Sequence, residues 1–266
     1  MIVNGSIIKE ALLEEMTPLA QEKKPRVCFV QFGDDAASTK FIGVKMKAAE
    51  QLGLVADVVT SGTQTTSEAL SVLQEVIEKK YDGIVVQLPL PAGIDSTVVI
   101  NAIPMEMDMD VLSIAALAAF AHGTSNRMPP VAAAVDVILK LYKVSLADKK
   151  IVIRGKGKLV GEPVSMLFDR TQTPYDIIDI NTPLAEQQEL LQQADIIVSG
   201  IGVPHSLTSD MIKEGVILID AGTSEQNGKL AGDIDPTCAS KASLYTPVPG
   251  GVGPITVACL FKNLFL

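Results

Sequence analysis

Ser38, Phe41 and Lys45 stand three and four residues apart, so on a helix they share one face, which Ala48 and Leu52 continue as an apolar stripe. A lysine on such a stripe either snorkels its ammonium to water or presents a cation to a bound molecule. Gln87 interrupts the strongly apolar run GIVVQLPLP near its end. A carboxamide among such neighbours must find partners, and a ligand is one of them. Asp108 and Asp110, in MEMDMDVL, either cap a helix or offer a carboxylate to an amidine-like pair of N–H donors. Residues 246–256, TPVPGGVGPIT, hold three prolines and three glycines in eleven positions, a fixed backbone path suited to the edge of a binding site. Pro249, Gly250, Gly251, Pro254 and Thr256 are its candidate contacts.

A second constellation lies in KKIVIRGKGKLVG, residues 149–161: an apolar run, then Gly155, Gly157 and Gly161, then a helix expected to start near Val160. Glycines at a strand-to-helix turn let backbone approach a pyrophosphate, whose charge is favoured at the helix N-terminus. The GxGxxxG spacing is one residue longer than the usual dinucleotide fingerprint, and a plain tight turn is the competing reading. Downstream, Asp179 closes another strand. A carboxylate there accepts from a ribose 2′-OH and favours NAD, whereas Lys156 inside the loop would receive a 2′-phosphate and favour NADP. Both readings stand at this point, as do the alternatives of a capping acid and a surface lysine. Gly200 and Gly202, in SGIGVP, repeat the pattern at the next strand end; nearby His205 reads as a loop residue.

These residues need a scaffold, and the chain supplies an alternating one. Strands are expected at 26–33, 55–60 and 83–90, with helices at 36–52 and 67–79 between them. Strands at 149–155, 176–180, 195–200 and 216–220 make a second unit of the same kind. That is the α/β pattern of parallel sheets covered by helices on both faces. The loop-like run HGTSNRMPP precedes a candidate linking helix at 131–142, so the division is placed at 125/126. From Thr246 a Gly/Pro-rich loop is expected to feed a terminal helix.

With 266 residues the chain is long enough for two modest cores. Cys28, Cys238 and Cys259 lie far apart and only two histidines occur, so neither a metal site nor a disulfide framework is expected, and a reducing, cytoplasmic location is. The N-terminus lacks the basic and apolar regions of a signal peptide, and the longest apolar stretch, 111–121, falls short of the ~20 residues that span a bilayer. Thirty-one acidic against twenty-two basic residues, with 4% aromatics, argue against a nucleic-acid partner.

SxxFIxxKxKA, GIVVQLPLP, the DxD element, GKGKLVGEP, GDID and TPVPGGVGPIT occur in order along nearly the whole chain. Together they resemble the bifunctional methylenetetrahydrofolate dehydrogenase/methenyltetrahydrofolate cyclohydrolase family. The resemblance implies an N-terminal folate domain over 1–125 completed by 245–266, and a Rossmann-like NAD(P) domain over 126–244. It places Lys45 and Gln87 at the reacting carbon and Asp110 on the pterin ring, with Ser38, Phe41 and residues 246–256 beside the folate. It gives Gly155, Lys156, Gly157, Gly161, Asp179, Gly200 and Gly202 to the cofactor, NADP ahead of NAD, and it implies a homodimer. The implied reactions are oxidation of 5,10-methylenetetrahydrofolate and hydrolysis of the methenyl product to 10-formyltetrahydrofolate.

The chain also departs from the family pattern. Phe41 stands where a tyrosine is usual, Met107 and Val111 replace a lysine and a glycine around the DxD element, and Val131 and Ala132 follow Pro129 and Pro130 where cysteine, threonine and a further proline are expected. Lys156 and Gly157 replace an arginine–serine pair, and the C-terminus is short. Hydride transfer mainly needs two carbons held at near-attack distance. Hydrolysis needs an activated water and a positioned acid or base, which contributes ~10²–10⁴-fold. The expectation is therefore a dehydrogenase with a weakened hydrolase step. A non-catalytic folate- or nucleotide-binding paralogue and another two-domain NAD(P) dehydrogenase are the alternatives.

Overall fold

The structure, a computed structural model, describes residues 1–226 and 228–266. The chain forms two compact units, the first taking Glu10–Pro130 and Val257–Leu266, the second Met1–Lys9 and Val131–Thr256. Helices α1 (Gly5–Lys23) and α9 (Val252–Lys262) give residues to both.

In the first unit β1 (Arg26–Phe32), β2 (Val55–Ser61) and β3 (Gly83–Val86) make a parallel sheet in the order β2-β1-β3. Every residue of β1 after Arg26 is buried because helices cover both faces, as parallel pairing requires. Helix α2 (Ala36–Gln51) starts where Asp35 accepts from Ser38 N, and α3 (Thr66–Glu78) where Thr65 accepts from Glu68 N. The short helices α4 (Ser96–Asn101) and α5 (Ile114–Ala121) start at the caps Asp95 and Ser113. One core joins Leu13, Phe29, Ile42, Leu52, Val85 and Met109 to Leu260 and Phe261 of the C-terminal segment, and the Phe29 and Phe261 rings meet edge-to-face at 6.4 Å. Full burial of such side chains contributes about 1.5–3 kcal/mol each.

In the second unit α6 (Pro130–Leu141) leads to β4 (Ile151–Arg154), α7 (Gly161–Arg170), β5 (Asp176–Ile178), α8 (Leu184–Gln193), β6 (Ile196–Ser199) and β7 (Ile217–Asp220). A hairpin of β8 (Ser224–Gln226) and β9 (Lys229–Ala231) and the short β10 (Leu244–Tyr245) follow. The five-stranded sheet is parallel in the order β10-β7-β6-β4-β5. Its order reverses between β4 and β6, where the chain leaves β4 first to one side and then to the other. Ligands of such sheets bind beyond the carboxyl ends of the strands at that switch point.

The expected strand and helix positions reappear within a few residues, but the division at 125/126 does not coincide with the observed one. Residues 245–256 and Met1–Lys9 pack with the second unit, because Tyr245 pairs with Leu218, Val3 N donates to Tyr245 O at 2.8 Å and Gly5 N donates to Gly250 O at 2.7 Å. The C-terminal return to the first unit is made by Val257–Leu266.

Candidate functional site

In the first unit, α2 carries Ser38, Phe41 and Lys45 on one face, and Gln87 follows β3 directly. Lys45 Nζ donates to Gln87 Oε1 at 3.0 Å, and Gln87 Nε2 donates to Leu88 O at 2.7 Å, next to the cis Leu88–Pro89 bond. Both ends of the buried carboxamide are thereby fixed, so its oxygen faces a cation. Lys45 does not simply snorkel away. Phe41, one turn earlier, is 42% exposed and has no hydroxyl to contribute. Ser38 is buried, and its hydroxyl has no hydrogen-bond partner among the described residues.

The two aspartates divide the roles left open by the sequence. Asp108, 1% exposed, accepts from Leu112 N at 3.0 Å and Ser113 N at 2.8 Å, and so organises the turn ahead of α5. Asp110 is half-buried. Burial pushes its carboxyl upward, the Lys45 cation opposes that shift, and Asp108 adds to it. Directly after Asp110, Val111 sits buried at φ 53°, a backbone region that β-branched residues avoid. Asn263, also buried, donates to Met109 O and Met128 O at 2.8 Å each and accepts from Met128 N, bolting the aspartate segment from the C-terminal end. Sequence reasoning missed Asn263; its only signal was a lone amide in the apolar run ACLFKNLFL.

In the second unit β4 delivers the chain into the glycine loop. Gly155 adopts φ 105°, its N–H donates to Ile178 O at 2.8 Å, and a Cβ there would lie 2.8 Å from Ile201. A Cβ on Gly161 would strike the carbonyl oxygen of Gly155, so the loop closes onto the start of α7 only with glycine. Among the described residues no side chain caps α7 at Val160; Val160 N and Glu162 N donate to Gly157 O at 3.3 and 3.0 Å. Gly157 and Gly202 have open space among the described residues, whereas a Cβ on Gly200 would meet Val160. Two open glycines beyond adjacent parallel strands, one of them leading into α7, fit the pyrophosphate of a dinucleotide.

Lys156 is exposed, and Asp179 lies just past β5, its Oδ1 accepting from Asn181 N at 2.8 Å. Pro249 follows a cis bond, Gly250 adopts φ 102°, a Cβ on Gly251 would crowd Pro247 O at 2.6 Å, and the Thr256 hydroxyl donates to Gly253 O at 2.6 Å near Pro254. His205 is a loop residue at φ 51°.

Beneath the second loop is a buried polar cluster that the sequence reading saw only as the motif GDID. Asp233 accepts from Ser199 Oγ, Ile201 N and Val203 N, while Asp220 accepts from Gly222 N, Asp233 N and Ile234 N. Burial pushes the Asp220 carboxyl up to about 7 against the pull of Ile234 N, with Asp233 adding to the rise. Arg154, at the end of β4, donates to Ser206 Oγ at 2.9 Å. Burial lowers its pKa, and Asp233 and Asp220 oppose that change.

Comparison with known proteins decides what this pair of sites belongs to. Residues 3–110 match the model of the tetrahydrofolate dehydrogenase/cyclohydrolase catalytic domain, and residues 129–266 that of the corresponding NAD(P)-binding domain. The chain belongs to the tetrahydrofolate dehydrogenase/cyclohydrolase family. The family member named bifunctional protein FolD 2 from Lactobacillus johnsonii is 36% identical over 96% of this chain and 92% of its own length. FolD from Aquifex aeolicus is 33% identical over 99% and 93%. The crystal structure of the bifunctional FolD of Campylobacter jejuni superposes with a TM-score of 0.92 at 30% identity, covering 99% of this chain and 96% of that one. A Trypanosoma brucei FolD described as complexed with NADP cofactor and inhibitor gives a TM-score of 0.91 at 29% identity, covering 100% and 96%. As a member of this family the chain is an oxidoreductase and hydrolase of folate one-carbon metabolism that uses NAD(P).

Proposed function

We propose that Lys45 and Gln87 flank the reacting one-carbon bridge for both reactions, and that the Lys45–Gln87 hydrogen bond is the feature on which both depend. A dinucleotide held at Gly155, Gly157 and Gly161 would supply the hydride acceptor for oxidation of the methylene carbon. Gln87, held at both ends, keeps Lys45 Nζ at a fixed height above the sheet, so the substrate meets a rigid cation. In hydrolysis, water adds to the cationic methenyl carbon and releases one proton to solvent, then the bond to the ring nitrogen breaks as the remaining O–H proton passes to that nitrogen and leaves the formyl C=O. Lys45 Nζ is the group suited to relay that proton. Asp110 hydrogen-bonds the pterin N–H groups, and Ser38, Phe41, Pro249, Gly250, Gly251, Pro254 and Thr256 contact the remaining folate.

Gly155, Gly157 and Gly161 give the pyrophosphate its close backbone approach, and Gly200 and Gly202 shape the neighbouring edge. Lys156 receives a 2′-phosphate, making NADP the preferred cofactor. Phe41 leaves Lys45 without a neighbouring phenol, so hydrolysis is the slower of the two reactions. The chain works in the cytoplasm, a reading supported by Cys28 and Cys238, buried thiols that form no disulfide. It works as a homodimer, a reading supported by the edge strand β2 with its exposed Val55 and Val58. Following absorbance of the reduced cofactor with 5,10-methylenetetrahydrofolate, in parallel with NAD and NADP, tests the assignment. Turnover with lower KM for NADP supports it, and no turnover with either contradicts it.

A further inference from the structure

The GDID motif has no part in the chemistry above, yet its first aspartate is a buried carboxylate with three hydrogen-bond donors. Asp233 is 0% exposed. Its Oδ2 accepts from Ser199 Oγ at 2.8 Å and Ile201 N at 2.7 Å, and its Oδ1 from Val203 N at 3.0 Å. Three donors from the end of β6 and the following loop thus converge on one anion. Its own main chain is gripped in turn, with Asp233 N and Ile234 N donating to the Asp220 carboxylate at 3.1 and 2.9 Å. The packing leaves no slack, since a Cβ on Gly222 would strike the Asp233 carboxyl and one on Gly232 the Asp220 carboxyl.

What this anchor holds is specific. Gly200 N donates to Arg154 O at 2.9 Å, and Gly155 is packed against Gly200 O and Ile201, so the loop after β6 is fitted to the glycine loop after β4. These loops stand at the carboxyl ends of β6 and β4, the switch point of the sheet. Backbone N–H groups turned inward to Asp233 leave Gly202, at φ 71° with open space around it, as the outward part of the loop.

We propose that Asp233 is a positioning residue for dinucleotide binding: by taking up Ile201 N and Val203 N it sets the loop carrying Gly200 and Gly202 in its binding shape before the nucleotide arrives. The proposal rests on the cofactor assignment above. It concerns preorganisation, so it predicts effects on nucleotide affinity and on the unliganded loop.

The test compares the unmodified chain with Asp233→Asn, which leaves one oxygen for two backbone donors, and with Ser199→Ala, which removes a single partner and spares the carboxylate. The chain has no Trp, so the fluorescence of NADPH and NADH themselves reports binding. Hydrogen bonds to a charged group are the stronger kind, and tenfold in affinity is about what losing one of them costs. Asp233→Asn should therefore raise the Kd of the preferred nucleotide about tenfold or more, and Ser199→Ala about threefold. Amide exchange at Ile201 and Val203, measured without nucleotide, should accelerate about tenfold or more in Asp233→Asn. KM for the nucleotide should rise while kcat at saturating nucleotide changes little. A merely structural role would lower the melting temperature and leave Kd and KM unchanged, and that result in either folded variant overturns the proposal. If Asp233→Asn yields no folded protein, Ser199→Ala decides, and its Kd equal to that of the unmodified chain overturns the proposal. Binding of neither nucleotide by the unmodified chain overturns the cofactor assignment and this proposal with it, whereas normal binding by that chain and both variants overturns this proposal alone.

Discussion

Lys45 Nζ donates to Gln87 Oε1 at 3.0 Å, joining the middle of helix α2 to the residue that follows strand β3 across 42 residues of chain. The bond pairs the only cation on an apolar helical face with a carboxamide whose amide nitrogen is already engaged by Leu88 O. Each group removes the other's reason to turn away, which is how a lysine and a glutamine become a fixed site instead of two satisfied surface groups.

Phe41 lies one turn before Lys45 and is 42% exposed, so a hydroxyl added to its ring has room. Phe41→Tyr should raise the methenyl hydrolysis rate about tenfold, less than the ~10²–10⁴-fold of a fully positioned acid or base, with oxidation changing less than about threefold. The two steps assayed separately give the ratio. A hydrolysis rate already equal to the oxidation rate and indifferent to Phe41→Tyr would remove the phenol from the account.

Asp110 gives a pH signature of stability. Its folded-state pKa is raised by burial above the ordinary 3.8, so the folded chain holds the proton more tightly than the unfolded one. Stability attributable to this group is then greatest below that ordinary value and declines as pH rises through the window above it. Asp110→Asn should remove the decline: urea midpoints of variant and parent should lie closer at pH 4 than at pH 7, with the variant gaining on the parent at pH 7. The opposite trend would mean that Asp110 is held by a cation more strongly than burial opposes it.

Gly157 and Gly161 separate ligand space from packing space. A Cβ on Gly157 meets nothing within 4 Å among the described residues, whereas one on Gly161 would strike Gly155 O. Gly157→Ala should fold with stability within about 1 kcal/mol of the parent, or slightly above it through the unfolded chain, yet weaken NAD(P) affinity about tenfold. Gly161→Ala should lose both stability and affinity. Thermal melts beside nucleotide titrations check the pair, and undiminished affinity in Gly157→Ala would show that no ligand occupies the space beside it.

The sheets were legible because β-branched runs such as IVIR and IIVS recur at α/β spacing, and the glycine loop because Gly155, Gly157 and Gly161 sit where strand gives way to helix. Helix α1 was not read: Pro18 lies inside it and its first turn has no acid, so the usual start signals are missing. The hairpin β8–β9 and the two-residue β10 are too short for a period to show. Lys45 and Gln87 were each visible as polar residues in apolar company, but their bond was not, because it depends on the register of a helix against a strand. Asp233 and Asn263 are legible only through their partners, which lie 30 to 34 and 135 to 154 residues away.

The central claim is that one lysine serves the hydrolysis, and Lys45→Met tests it most directly because it keeps the length and apolar stem of the side chain and removes the charge. The measurement is the initial rate of methenyltetrahydrofolate hydrolysis, followed by loss of the methenyl absorbance, in variant and parent at the same pH. The account predicts a fall of ~10²–10⁴-fold, the contribution of a positioned acid or base. Hydrolysis by Lys45→Met at the parent's rate would contradict it.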